Sequence, residues 1–170
     1  MRRLALVTSA LSLIALPLAA QTLPADSVFS RLLGHWVLRG TIAHQQTTHD
    51  MTFEWMLGHE YLRLHEVSRE KDAHGAPQYE AVVLFSRDPK TGEYAALWMD
   101  NTGVTTFEPA GVGHGSVAGD SLPFLWHYDS TNSFHNTFVY RAPTRSWEWH
   151  MDNDSAGVRR PFARVTLTRR

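Results

Sequence analysis

The 170-residue chain contains no cysteine. Disulfides, thiolate metal sites and cysteine nucleophiles are therefore excluded, as is the lipid-modified cysteine that would anchor a lipoprotein behind its leader. An excess of basic charge is also missing: 16 Lys and Arg oppose 17 Asp and Glu, which leaves no basic stripe for a nucleic-acid partner. The segment Gly113-His114-Gly115-Ser116-Val117-Ala118-Gly119 has neither the Gly-x-Ser-x-Gly spacing of a serine nucleophile nor the Lys of a phosphate-binding loop. The nearest approach to a zinc-protease helix, His59-Glu60-Tyr61-Leu62-Arg63, carries Arg63 where the second histidine belongs. Internal repeats, low-complexity tracts and an interdomain linker are absent as well.

What is present begins with a leader. Arg2 and Arg3 precede an apolar run over 4–16, then come Pro17 and small residues ending at Ala20, the layout of a secretory signal peptide over residues 1–20. The run is shorter than the ~20 residues of a membrane-spanning helix, and Pro17 breaks its end. Cleavage leaves residues 21–170 as one domain with no membrane span, in a secreted and periplasmic setting. Losing Arg2 and Arg3 takes the basic count from 16 to 14 and the formal net charge from −1 to −3.

Residues 25–33 read as a single helical turn, with Asp26 or Ser27 as its cap and Phe29, Leu32 and Leu33 on one face. From Gly34 onward helical periodicity gives way to alternation. Strands are expected at 34–43, 48–57, 60–69, 78–87, 93–100, 104–109, 112–121, 124–130, 134–142, 146–153 and 162–169. The turns between them include Asp88-Pro89-Lys90-Thr91-Gly92 and Asn101-Thr102-Gly103, where Pro presets φ and Gly or Asn tolerates φ > 0. About ten strands in a meander normally close to remove their edges, so the expected fold is all-β, an antiparallel up-and-down β-barrel, with a β-sandwich as the alternative.

A helical turn, then Gly34-x-Trp36 entering the first strand, then a meander resembles the calycin superfamily, which includes the lipocalins. In that group the Trp plugs the closed end and a late-strand Arg lies across its indole, a favourable cation–π stack. The resemblance implies that Gly34 and Trp36 close the barrel with Arg164 as the lid. The Thr-Asp-Tyr-type loop motif of lipocalins is absent. Trp55-Met56-Leu57-Gly58, Tyr61-Leu62-Arg63 and Trp98-Met99-Asp100 follow in order, and together they resemble the DUF1579-type, lipocalin-like secreted bacterial proteins of unknown function.

Parity places Met51, Phe53, Trp55 and Leu57 on one face, Trp147, Trp149 and Met151 on another, and Phe134, Asn136, Phe138 and Tyr140 on a third. The aromatics exceed what the base of a small barrel requires, which favours a cavity. Trp55, Trp98, Trp126, Phe138 and Trp149 are its candidate walls. On the third strand Tyr61, Arg63, His65 and Val67 oppose Leu62, Leu64 and Glu66. With the first set inward, Arg63 and His65 would anchor a carboxylate or other anionic head group; with the second set inward they face solvent. His44, His49, His74 and His114 read as exposed loop residues. Nitrobindin-like haem binding needs a histidine near the C-terminal end of the barrel, whereas His150 alternates away from Trp147 and Trp149. Metal and cofactor are accordingly not expected. The function indicated is binding of a small hydrophobic or amphipathic molecule, without catalysis. The alternatives are an isomerase or lyase using His65 with Arg63, and a filled-barrel interaction module.

Overall fold

The computed structural model describes residues 27–102 and 109–170. The expected leader and the expected strand at 104–109 lie outside the described residues, apart from Pro109. Helix α1 (Ser27–Leu32) is followed by β1 (Gly34–Ile42), β2 (Gln45–Met56), β3 (Tyr61–Ser68), β4 (Glu80–Arg87) and β5 (Tyr94–Asp100). Then come β6 (Val112–Gly115), β7 (Ser121–His127), β8 (Asn132–Arg141), β9 (Ser146–Ser155) and β10 (Val158–Arg169). Each strand pairs antiparallel with the next, and β1 pairs with β10, so the ten strands form a closed barrel. This is the expected up-and-down topology, and closure sets aside the sandwich. Among the described residues no helix is long and apolar enough to cross a membrane.

Alternation explains which residues point inward. On β2 the buried residues are His49, Met51 and Phe53, on β9 Trp147, Trp149 and Met151, and on β10 Ala163, Val165 and Leu167. On β3 the buried set is Leu62, Leu64, Glu66 and Ser68. The expected strand at 112–121 stops at Gly115. A Cβ at Gly115 would sit 1.7 Å from the Pro123 carbonyl oxygen, and beyond it the chain turns back through the Ala118–Ser121 bridge into β7.

One end of the barrel is closed. Phe29 and Leu32 of α1 are buried against it, and Phe29 packs edge-on to Trp55 and Tyr94. Trp36 is fully buried and donates its indole N–H to the Leu32 carbonyl at 2.6 Å. The guanidinium that covers Trp36 belongs to Arg169, 4.4 Å above the ring, and is held by the carbonyls of Leu33 and Arg31. Arg164 is therefore not the lid. It pairs with Thr41, about 17 Å farther along the strand, and has outward parity. There it donates to the Met151 and Ala163 carbonyls and to Asp152. Gly34 has φ +106°, a region that L side chains avoid, and a Cβ there would meet Arg169 Nη1 at 2.6 Å. Glycine at this position lets the chain turn and lets the arginine pass.

Candidate functional site

The opposite end is hollow. A cavity of about 620 Å³ lies inside the barrel and reaches the rim at the turns after β1, β3, β7 and β9 and at Thr102 and Gly111. Its wall has two chemically different arcs. From β5 round to β10 the lining is mainly aromatic and apolar, with Trp98, Trp126, Phe134, Met151 and Phe162, and Asn153 as a polar exception at the rim. Trp98 meets Trp126 edge-on with ring centroids 6.3 Å apart, Trp126 meets Phe134 at 6.3 Å, and Phe134 meets Phe162 at 5.7 Å. Gly113 makes room for this wall. A Cβ there would fall 2.4 Å from the Trp126 indole, whose N–H donates to the Gly111 carbonyl at 3.1 Å.

From β2 to β5 the lining is polar. His49 and Glu66 lie on the inward faces of β2 and β3, 4% and 1% exposed, with His49 Nδ1 2.5 Å from Glu66 Oε1. The other ring nitrogen, Nε2, is 2.8 Å from Thr47 Oγ1, and the Thr47 hydroxyl donates to Glu70 Oε2 at 2.9 Å. A hydroxyl has one proton, so Thr47 must accept from His49 and Nε2 must carry hydrogen. One further proton then lies between Nδ1 and Oε1, and the His49–Glu66 pair is neutral as a unit whichever atom holds it. Burial is the largest influence on the Glu70 carboxyl and works to raise it. Hydrogen bonds from its own backbone, from Thr47 and from the Thr48 amide, with the charge of His49, outweigh burial and hold it below its ordinary range.

Tyr79, in the turn before β4, stacks on His49 with centroids 5.6 Å apart. Its hydroxyl lies 3.4 Å from Asp100 Oδ2, and Trp98 Nε1 donates to both, at 3.2 and 3.1 Å. Burial, and then the carboxylates of Glu66 and Asp100, push the Tyr79 phenol far above its ordinary range, so it remains a donor. Asp100 also accepts from the Thr102 amide and hydroxyl. It thus receives four hydrogen bonds and has little acceptor capacity left.

Of the expected wall residues, Trp98 and Trp126 line the cavity. Phe138 and Trp149 are buried below it, stacked face to face at 4.5 Å, with Trp98 packing on Trp149 at 5.8 Å. Trp55 belongs to the closed end, against Phe29 and His59. Arg63 and His65 are not in the site. Register puts both on the outer face of β3, where Arg63 donates to Glu54 at 2.8 Å and His65 pairs with Glu80 at 2.7 Å. The two faces of β3 looked equivalent because Tyr61 and Val67 flank the polar pair, yet Leu62 and Leu64 are the buried ones. His49, expected in an exposed loop, is in the interior because β2 begins at Gln45 and His49 shares parity with Met51. That parity was the available signal, as was the alignment of Glu66 with Leu62 and Leu64. Among the described residues no group of three or more His, Cys, Asp or Glu is arranged to hold a metal ion.

Comparison with solved structures finds the same fold in the crystal structure of Rv2717c from M. tuberculosis, with a TM-score of 0.55 and 16% identity over 87% of this chain and 98% of that one. At that identity the likeness concerns the fold alone. No family model matches the chain. No curated protein matches it either.

Proposed function

We propose that the protein is a secreted, periplasmic binding protein of the lipocalin-like, DUF1579-type group, holding one small and largely apolar molecule in the open half of its barrel. The observation that carries this reading is the cavity of about 620 Å³, aromatic on one arc and polar on the other. It falls within the roughly 300–1,000 Å³ of typical ligand sites, and a few convergent polar groups on a mainly apolar wall are what fix a ligand's orientation. Secretion is supported by the leader pattern of residues 1–20, and group membership by the order of Gly34-x-Trp36, Trp55-Met56-Leu57-Gly58 and Trp98-Met99-Asp100.

The test uses N-phenyl-1-naphthylamine, a neutral probe that brightens in apolar surroundings. Saturable binding at one site per chain is expected, with displacement by 1-dodecanol. Ile42→Trp, at the lip of the cavity, should block both without unfolding the barrel. Absence of saturable binding in the folded wild type, or full binding in the folded Ile42→Trp variant, would overturn the reading.

A further inference from the structure

We propose that the head group accepted by this cavity is a primary ammonium, a cationic hydrogen-bond donor carried on an apolar tail; the proposal rests on the binding function above and names its ligand class. The first observation is Glu66. It lines the cavity and is 1% exposed; Oε1 is engaged by His49, while Oε2 is buried with no hydrogen-bond partner. A buried acceptor left without a donor is destabilising, and native interiors rarely contain one unless something else supplies the donor. Two other buried polar atoms, Asn136 Nδ2 and Trp147 Nε1, share this condition, but neither residue lines the cavity. The orphaned acceptor of Glu66 is the one that a ligand could meet.

The second observation is the sign of the surroundings. Among the described lining residues there is no Lys or Arg, whereas Glu66 and Asp100 both face the space. The Glu70 carboxylate stands directly behind Thr47. Because the His49–Glu66 pair is neutral as a unit, Asp100 and Glu70 leave the polar arc net negative. Asp100 contributes field and not a free lone pair, since its oxygens already receive Trp98, Tyr79 and Thr102. The third observation is the pair of indoles, Trp98 and Trp126, on the neighbouring arc, whose faces attract cations. A fatty acid would instead bring its carboxylate toward like charge with no cationic partner. The anionic head group suggested by an inward Arg63 and His65 therefore gives way to a cationic one.

In the geometry proposed, an ammonium N–H donates to Glu66 Oε2, the charge lies in the field of Asp100, and the tail runs along Trp126, Phe134 and Phe162. The probes are dodecylammonium, 1-dodecanol, dodecanoate and dodecyltrimethylammonium, each below its micelle concentration and each displacing N-phenyl-1-naphthylamine. Dodecylammonium should bind about tenfold or more tighter than 1-dodecanol, as expected for a hydrogen bond to a charged group. Dodecanoate should be the weakest. Dodecyltrimethylammonium has the same charge and no N–H donor, and should fall between the ammonium and the alcohol. In Glu66→Gln the amide nitrogen donates to His49 Nδ1, because Nε2 already carries the ring hydrogen, and a neutral amide oxygen replaces the carboxylate oxygen that faces the cavity. The preference for ammonium over alcohol should then fall several-fold, since a neutral acceptor makes the weaker hydrogen bond. Dodecanoate binding as tightly as dodecylammonium would overturn the proposal, as would an unchanged preference in a folded Glu66→Gln variant. If that variant loses its β-sheet circular dichroism, equal affinity of the wild type for the primary and quaternary ammonium would overturn it instead. Failure of all four probes together with the naphthylamine would overturn the binding function itself, so the two outcomes are distinguishable.

Discussion

The two ends of this barrel are made from the same ten strands and are filled in opposite ways. At the closed end most inward positions carry a large apolar side chain, with Ala96 and Gly115 as small exceptions on β5 and β6. Trp36, Phe53, Phe85 and Trp147 interlock beneath α1, and Arg169 seals the outermost indole. A few residues farther along the same strands, β2 changes from Phe53 and Met51 to His49 and Thr47, and β3 from Leu62 and Leu64 to Glu66 and Ser68. Inward-facing parity is unbroken, so the polar groups are not accidents of register. A barrel selected only for stability would continue the apolar pattern to its rim. The difference separates an end built to hold the fold from the end to which the proposed binding function is assigned.

The largest effect expected from that contrast is at the closed end. Trp36→Ala should destabilise the protein by about 3–5 kcal/mol, the range for a large aromatic truncated in a core, read as a fall in the urea midpoint. A fully stable variant would show that the indole is not the plug that its position under Arg169 indicates.

At the open end the informative measurement is a double-mutant cycle on His49 and Glu66. His49→Leu alone leaves a buried carboxylate without its partner and should cost about 3–5 kcal/mol. Replacing both, as His49→Leu with Glu66→Met, should leave stability unchanged or raise it by about 1–4 kcal/mol, because a buried pair is often no better than well-packed hydrophobic side chains. The same double variant should lose its preference for dodecylammonium over dodecanol. A double variant as unstable as the single one would make the pair a structural element and erase the contrast between the ends.

Much of this contrast was legible from residue order, and the exceptions have identifiable causes. Strand parity on β2, β8 and β9 follows directly from alternation, because Thr52, Glu54 and Glu148 are unmistakably polar opposites of their neighbours. Gly34-x-Trp36 locates the plug, whereas the lid is Arg169 and not Arg164. Arg164 and Arg169 both lie on β10, and parity with Leu167 selects Arg169. On β3 both faces carry apolar residues, so local pattern alone left Arg63 and His65 undecided, and only the pairing of Leu64 with Phe53 and Val83 resolves it. Tyr79 and Asp100 join the site from a turn and a strand end, and no local signal connects them with His49. Their meeting follows from the meander: β2 to β5 pair in sequence, and the β3–β4 turn brings Tyr79 back beside His49 of β2.

The smallest expected effect concerns acid. Glu70 ties the open end together, accepting from the Thr48 amide at 3.0 Å and the Thr47 hydroxyl at 2.9 Å. Its carboxyl is held below the ordinary value of 4.5 in the folded state. A depressed carboxyl contributes stability that is fully present above 4.5 and is lost as pH falls through the lower, folded value. Solvent around this partly buried side chain keeps the contribution small, so the consequence should be local. As pH is lowered below 4.5, the Thr48 amide should lose hydrogen-exchange protection beyond the intrinsic pH dependence of exchange, while the Trp36 amide at the closed end keeps its own. In Glu70→Gln, which cannot ionise, the Thr48 amide should start less protected and show no such acid step. An identical acid step in that variant would assign the loosening to another carboxylate at the rim, Asp129 being the next to examine because its hydrogen bonds from Asn132 and Thr131 also hold it well below its ordinary range. Equal loss at Trp36 and Thr48 would mean that the two ends unfold as one unit, and that their difference in composition has no counterpart in local stability.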